Sequence, residues 1–318
     1  MRKLNSFAGM MERSSRPTRW QLVSVLTVGV LAVSTAAVLI RLALQAGNTR
    51  GVGFSLMLAE FRVAIASLCL LPVWRARATA PLKSKAIACS IGAGIFLALH
   101  FATWITSLSY TSVAASVTLV TTNPIWVAIF TWFGWGERPT RTTAVGIALG
   151  LMGGGTISAA DWLATGTSTW LGNGLALTGA IAASLYLLLG RSAQRRGLAW
   201  QTHAAIAYVT ATLVLLPLPP LWGVSYVNWS PSVYGWALLL ALGPQLLGHT
   251  SFNWSVRWIS PTLVTLVLLL EPLGAGLLAF WIFGEVPEPH IWLGAGIVLS
   301  GVAIAAVGEQ TPRTSASG

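Results

Sequence analysis

The chain has 318 residues, of which 55% are hydrophobic and 8% are charged, and its formal net charge is +11. Soluble domains have about 25% charged residues, so this composition excludes a soluble globular domain as the main body of the chain. The basic excess does not indicate nucleic-acid binding, because the basic residues do not cluster among aromatic residues on one solvated face.

Apolar runs long enough to cross a bilayer as a helix, about 20 residues, recur from end to end. The sequence predicts ten membrane-spanning helices, numbered here as spans 1 to 10, at residues 20–43, 54–74, 86–108, 112–134, 143–160, 171–190, 202–222, 233–256, 259–283 and 291–308. The predicted fold class is therefore an all-α membrane protein in a lipid bilayer. Residues 1–19 and 309–318 are predicted to be tails.

Basic residues concentrate in alternate connecting segments of this ten-span arrangement. Most of the 19 Lys and Arg residues lie in the two tails and in the segments after spans 2, 4, 6 and 8, whereas the opposite loops hold Arg50. Such asymmetry follows the positive-inside rule. It predicts a multi-pass protein of the cytoplasmic (inner) membrane with both termini in the cytoplasm.

The two halves of the chain repeat each other. Residues 123–137 and 271–285 share a proline and, thirteen positions later, a glutamate, at an offset of 148, and an offset of 150 pairs 30–41 with 180–191. Two five-helix repeats result, at 20–160 and 171–308. Because five is odd, the second repeat enters the membrane from the opposite side. Inverted repeats are typical of transporters, with a substrate site near the bilayer midplane.

Polar residues of spans 2 and 3 are the first candidates for a transport pathway. Arg62 can hold a carboxylate in bidentate fashion, and the alternative is a structural arginine paired with nearby Glu60. His100 and Trp104 share one face of span 3. For His100 the alternative is a hydrogen-bonded packing residue, and for Trp104 it is an anchor at the lipid interface.

Spans 4 and 9 each contain a central proline after a polar residue, as Asn123–Pro124 and Glu271–Pro272. Proline frees the carbonyl four residues earlier, and paired midplane interruptions expose backbone to substrate in broken-helix transporters. An ionised Glu271 at the bilayer centre costs about 3 kcal/mol. This acid could bind a proton or a substrate amine, or be a structural acid that stays protonated.

Span 8 contains Gln245, His249 and Asn253, one polar residue every four positions. On an α-helix these residues form one stripe, and in lipid an unsatisfied polar group costs several kcal/mol. The stripe therefore lines a cavity or makes hydrogen bonds between helices. His249 lies one residue from the repeat equivalent of His100, and we expect the two histidines on opposite sides of the midplane.

Two long segments, "FLALHFATWITSLSYTSVAASVTLVTTNPIWVA" and "GPQLLGHTSFNWSVRWISPTLVTLVLLLEPLGAGLLAFWIFGE", resemble the EamA repeats of the drug/metabolite transporter superfamily. The resemblance implies a central cavity formed by spans 1–4 and 6–9, with spans 5 and 10 packed outside it. Members of this family carry amino acids, other metabolites or drugs and usually export them, so the resemblance implies transport of a small organic solute without naming it. Ser34 and Thr35 stand where small multidrug-resistance relatives have a glutamate, so the resemblance does not extend to their proton antiport.

These features favour a secondary transporter that exports a small organic metabolite by alternating access, with protons as the candidate coupling ion. One alternative is an uncoupled facilitator, and another is an intramembrane enzyme that uses His100 and His249 as acid and base. The sequence has no zinc-protease, Walker or nucleophile-elbow motif and no metal-spaced cysteine set, so no metal or cofactor is expected. It contains no signal for an oligomeric state.

Overall fold

The computed structural model describes residues 17–75, 83–135, 140–165, 167–286 and 288–310, and all regular secondary structure in these ranges is helical. The helices are α1 (Arg19–Ser34), α2 (Ala36–Ala46), α3 (Val52–Cys69), α4 (Leu71–Arg75), α5 (Ser84–Ser107), α6 (Val113–Val120), α7 (Asn123–Trp135), α8 (Arg141–Thr165), α9 (Thr167–Arg195), α10 (Trp200–Leu215), α11 (Leu218–Leu221), α12 (Pro231–Leu240), a π-helical segment (Ala241–His249), α13 (Thr250–Ser255), α14 (Pro261–Val267), a 3₁₀ turn (Leu268–Leu270), α15 (Glu271–Phe283) and α16 (Pro289–Gln310).

Six helical stretches of the described ranges are long and apolar enough to cross a membrane: Arg19–Ala46, Val52–Cys69, Ser84–Ser107, Val113–Gly134, Thr169–Arg195 and Trp200–Leu221. They coincide with predicted spans 1, 2, 3, 4, 6 and 7. Predicted spans 5, 8, 9 and 10 coincide with helical segments outside this set. The molecule is thus an all-helical, multi-pass membrane protein.

Spans 4 and 9 are interrupted at the same place. Helix α6 ends at Val120 and α7 restarts at Asn123, while α14 ends at Val267 and α15 restarts at Glu271 after the 3₁₀ turn. Each restart comes directly before a proline, which the first turn of a helix tolerates because its N–H has no partner within the helix there. Helices α7 and α15 have matching bounds at the offset of 148.

Span 8 does not form the regular α-helix that the four-residue spacing assumes. Its central part, Ala241–His249, is π-helical and contains Pro244. Because Pro244 cannot donate to the carbonyl of Leu240, the helical turn widens at this point. The counterpart helix α5 continues without interruption over 24 residues.

Helices α8 and α16 pack together through glycines in a reciprocal manner. A Cβ atom at Gly153 would lie 2.7 Å from the Gly294 carbonyl oxygen, and one at Gly301 would lie 2.7 Å from that of Gly146. Small residues permit such close approach of two membrane helices. At the offset of 148 the two pairs exchange places.

The largest buried apolar cluster lies between α2, α3, α5, α10 and α12 and includes Ile40, Met57, Leu97 and Phe101. Arg62 of α3 is buried beside it, with 0% of its surface exposed. A fully buried arginine is unusual unless it is paired or functional. Its surroundings therefore identify the candidate site.

Candidate functional site

A cavity with an empty volume of about 620 Å³, part of which is open to solvent, lies between the helices. Its polar wall consists of Arg62, His100, Trp104, Thr121, Asn123, Tyr186, His249, Thr265 and Glu271. Its apolar wall consists of Val33, Ala36, Val120, Ala183, Leu187, Phe252 and Leu268. These residues come from spans 1, 2, 3, 4, 6, 8 and 9, and none comes from α8 or α16.

The Arg62 guanidinium is held in position but is largely unpaired. Its Nε donates to Gln245 Oε1 at 2.7 Å, and its Cζ lies 4.1 Å from the centroid of the Phe101 ring. Nη1 and Nη2 are buried and have no hydrogen-bond partner among the described residues. An ion pair with Glu60 is likewise absent from this part of the chain. The guanidinium therefore presents a fork of unused donors at the cavity.

Glu271 lies on the same cavity, at the start of α15, with 8% of its surface exposed. Arg62 lines the same cavity. Within the described ranges, however, the two side chains do not form a direct ion pair. The carboxyl also makes no hydrogen bond to another described residue. Arg62 and Glu271 therefore line the same cavity without forming an ion pair with a described residue.

The two histidines lie side by side on the cavity wall. The centroids of the His100 and His249 rings are 6.1 Å apart, and the His100 ring stacks on that of Trp104 at 5.7 Å. The Gly179 carbonyl, 2.9 Å from His100 Nδ1, can only accept, so Nδ1 carries a proton and donates it to this carbonyl. Within the described ranges, no three His, Cys, Asp or Glu side chains are grouped to hold a metal ion.

Trp104 is 3% exposed and lines the cavity, which does not fit an anchor at the lipid interface. Its indole Nε1 is buried without a hydrogen-bond partner among the described residues. It therefore adds an unused donor to those of Arg62.

Asn123 lines the cavity, but its amide nitrogen is bound to the backbone. Oriented by its hydrogen-bonding surroundings, Nδ2 donates to the carbonyls of Val120 at 2.9 Å and Ala180 at 3.0 Å. Val120 is the residue whose carbonyl Pro124 leaves free. In span 9 the carbonyl freed by Pro272 belongs to Leu268, and it accepts the backbone N–H of Glu271 instead.

The other two residues of the span 8 stripe lie behind the cavity wall. Gln245 is 0% exposed and accepts from Arg62. Asn253 is 1% exposed, and its Oδ1 accepts from the Tyr186 hydroxyl at 2.8 Å. Both therefore orient residues that line the cavity. Of the stripe, His249 faces the cavity.

Tyr186 and Phe252 are cavity residues that sequence reasoning missed. A tyrosine within the apolar stretch 180–191 of span 6 was the available signal, because a buried hydroxyl needs a partner. Phe252 is an apolar residue among many in span 8, and its spacing gives no such signal.

Comparison with known proteins identifies the family. A model of the EamA-like transporter family matches the chain twice, over residues 20–158 and 170–307. An uncharacterized transporter of Archaeoglobus fulgidus is 24% identical over 260 residues, 81% of this chain and 87% of that protein. The uncharacterized transporter YwfM of Bacillus subtilis is 23% identical over 269 residues, 82% of this chain and 87% of that protein.

A "Probable terminal-alkyne amino-acid exporter" of Streptantibioticus cattleyicolor is 26% identical over 187 residues, 58% of this chain and 61% of that protein. A solved crystal structure superposes with a TM-score of 0.60 at 18% identity, over 93% of this chain and 100% of that chain, which is a likeness of fold alone. Because the family model covers both halves of the sequence, the chain belongs to the EamA-like transporter family.

Proposed function

We propose that this protein is a secondary transporter that binds a zwitterionic metabolite, an amino acid or a close relative, and exports it across the cytoplasmic membrane by alternating access. The proposal rests on one observation. Arg62 Nη1 and Nη2, which have no hydrogen-bond partner among the described residues, line the same cavity as the Glu271 carboxyl, which forms no ion pair with a described residue.

The Arg62 fork fits a carboxylate. A guanidinium binds a carboxylate through two parallel N–H···O bonds, and Gln245 and Phe101 fix its plane. A buried charge without a partner is costly. A carboxylate ligand would supply the missing partner and would recover that cost on binding.

The Glu271 carboxyl fits the ammonium group of the same ligand. Both charged groups of a zwitterion would then be neutralised inside the protein, as transfer out of water requires. Val33, Leu187 and Phe252 offer apolar contact for a side chain. We therefore favour an α-amino acid with an apolar side chain over a purely anionic or purely cationic solute.

The proposed scaffold has ten membrane helices in two inverted five-helix repeats, 20–160 and 171–308, with both termini in the cytoplasm. The matched bounds of α7 and α15 and the reciprocal glycine contacts of α8 and α16 support a repeat. The concentration of basic residues in alternate segments supports the orientation. The name of the S. cattleyicolor relative supports amino-acid export.

Coupling to protons is proposed to use Glu271. Protonation of its carboxyl would remove the partner of the ammonium group and so release the substrate. If the carboxyl has no such role, the protein is an uncoupled facilitator. An enzyme that uses His100 and His249 predicts instead a chemically changed product, which analysis of the transported solute detects.

Three matched ligands test the binding mode: phenylalanine, phenethylamine and 3-phenylpropionate. They share the phenyl group, and the last two each lack one charge of the zwitterion. We expect calorimetry on purified protein to give binding of phenylalanine and at least about 30-fold weaker binding of each analogue, since losing one desolvated charge contact costs about 2 kcal/mol or more. Equal affinities for all three would refute the zwitterion site.

The variant Arg62→Lys keeps the positive charge and removes the two parallel N–H donors of the guanidinium. It should lower the affinity for phenylalanine about tenfold or more, because an ammonium cannot form the bidentate pair with a carboxylate. Phenethylamine has no carboxylate, so its weak binding should change little in the same variant. Equal loss for both ligands would indicate general disruption of the cavity.

Cysteine labelling tests the orientation in a background in which Cys69 and Cys89 are replaced by serine. Val227→Cys should react with an impermeant thiol reagent on intact cells, and Ala199→Cys should react after permeabilisation. The reverse pattern would place the termini outside the cell and contradict the proposed topology.

A further inference from the structure

A second pocket lies outside the cavity, between the C-terminal turn of α9 and the segment 256–260. It has about 500 Å³ of empty space, and its polar wall consists of Arg191, Gln194, Arg195, Arg257, Trp258 and Ser260. It shares no residue with the cavity wall. Leu187 lines the cavity and Arg191, one helical turn later, lines the pocket, so the pocket lies towards the ends of the helices where basic residues concentrate.

The wall of this pocket presents donors and positive charge. Arg195 and Arg257 have no carboxylate partner among the described residues. The Arg257 Cζ lies 5.1 Å from the Trp258 ring centroid, and Trp258 Nε1 is buried without a partner in the described ranges. Arg191 interacts with another group and therefore is not free to bind an anion. Two guanidinium groups and an indole N–H that lacks a described partner therefore belong to the wall of one pocket.

The first repeat carries fewer arginines than the second at the positions equivalent to this pocket. The offset of 150 aligns Arg191 with Arg41 and Arg195 with Gln45, and the offset of 148 aligns Arg257 with Ser109. Arg41 pairs with Glu285 at 3.1 Å. In the first repeat, Arg41 is thus paired with an acid, and the positions equivalent to Arg195 and Arg257 carry no charge. In the second repeat both of these positions are arginines.

Topology alone explains arginines at this end of the helices, but it does not require them to converge on one pocket. Arg196 follows α9 directly and does not line this pocket, because its guanidinium donates to Ser192 of α9. A tetrahedral oxyanion accepts several N–H donors at once, as phosphate does from arginine. Gln194 Oε1 is also buried and has no hydrogen-bond partner among the described residues, so it can accept a hydrogen bond from a hydroxyl group next to such an anion.

We propose that this pocket binds a phosphate group, either in the head group of an anionic phospholipid at the membrane surface or as a phosphate ion from solution. Basic pockets between membrane helices are known to hold anionic head groups. The site is independent of the function proposed for the cavity.

The test uses the full chain in neutral detergent micelles. Dioleoyl phosphatidylglycerol, dioleoyl phosphatidylcholine and inorganic phosphate are titrated separately, while bound lipid is counted by native mass spectrometry and the melting temperature is recorded. The variant Arg195→Gln/Arg257→Gln removes the pocket charge. The control Arg141→Gln/Arg196→Gln removes the same charge from exposed positions outside the pocket.

We expect saturable binding of phosphatidylglycerol or of phosphate, with affinity at least about tenfold lower in the pocket variant and unchanged in the control, because charged hydrogen bonds are lost. Preference for phosphatidylglycerol over both other probes assigns the site to lipid, and binding of phosphate alone assigns it to a soluble anion. No saturable binding of either, or equal loss in the control, overturns the proposal. If the double variant does not fold, the single exposed change Arg257→Gln is compared with Arg196→Gln under the same criteria.

Discussion

The two proline interruptions of this protein lie at equivalent positions, but the carbonyl that each proline leaves free is satisfied in a different way. At the first, the carbonyl of Val120 is bound by the Asn123 side chain, whose amide nitrogen also reaches Ala180. At the second, the carbonyl of Leu268 is bound by the Glu271 backbone N–H in the 3₁₀ turn. The Glu271 carboxyl consequently remains available at the cavity.

This difference indicates why one residue is an amide and its repeat equivalent is an acid. An amide can donate to two carbonyls and so satisfy a broken helix. An ionised carboxylate cannot donate at all and would repel the same carbonyls. The 3₁₀ turn makes an acid tolerable at the second interruption, because the backbone there needs no side-chain donor.

The largest loss of stability is expected for Asn123→Asp. This isosteric change replaces the amide donor with a second carboxylate oxygen, which faces carbonyl oxygens. The carboxylate would face the carbonyls of Val120 and Ala180, and we expect destabilisation by about 3 kcal/mol or more. Protonation gives this Asp one donor, so stability of the variant should decrease as the pH rises. Unfolding in mixed micelles at several pH values measures both effects. Wild-type stability in this variant would show that the Asn123 amide is not engaged.

The reciprocal isosteric change, Glu271→Gln, should leave stability within about 1 kcal/mol, since the carboxyl has no hydrogen-bond partner among the described residues. Transport should respond differently. We expect accumulation driven by a pH difference in liposomes to fall by about 30-fold, within the usual range of coupling free energies. Exchange of internal for external substrate should continue only at raised substrate concentrations, because the neutral side chain no longer pairs with the ammonium group. Identical pH profiles for wild type and variant would favour the uncoupled facilitator.

Asn123→Ala removes the donor without adding a charge. Two carbonyls then lose a partner in a buried site, and we expect a loss of about 1.5 kcal/mol. Substrate affinity should change little, because the amide nitrogen is directed to the backbone. A change in phenylalanine affinity with unaltered stability would instead assign Asn123 to substrate binding.

The smallest effect is a coupling between neighbouring residues. In a Pro124→Ala background the new backbone N–H can donate to Val120, so Asn123→Ala should cost about 1 kcal/mol less there than in wild type. Pro272→Ala restores the N–H at the other interruption and is the matched control, in which the cost of Asn123→Ala should not change. Equal costs in all three backgrounds would mean that Asn123 does not compensate for Pro124.

Sequence reasoning found the residues that are chemically unusual for lipid. Arg62, Trp104, His249 and Glu271 stand out because a polar or charged side chain inside an apolar span needs a reason, and all four line the cavity. The proline interruptions followed from the missing N–H. These predictions needed no knowledge of neighbouring helices.

The roles within the span 8 stripe could not be read from spacing. Gln245, His249 and Asn253 share a face, but Gln245 supports Arg62, Asn253 supports Tyr186, and His249 lines the cavity. Each outcome depends on a side chain from a distant span. The π-helical turn at Pro244 also changes the geometry that regular α-helical spacing assumes.

The sequence by itself determined the membrane class, the repeat and the identity of the unusual polar residues, because each follows from composition, offset or the cost of polarity in lipid. The tertiary structure alone decided which polar groups are already satisfied. Asn123 and Glu271 occupy equivalent positions in the sequence. The Asn123 amide nitrogen donates to two backbone carbonyls, whereas at the other interruption the Glu271 backbone N–H binds the carbonyl and the Glu271 carboxyl is not needed for this purpose. Hydrogen bonds are short-ranged and directional, so pairing is decided by the three-dimensional positions of the atoms and not by spacing along the chain.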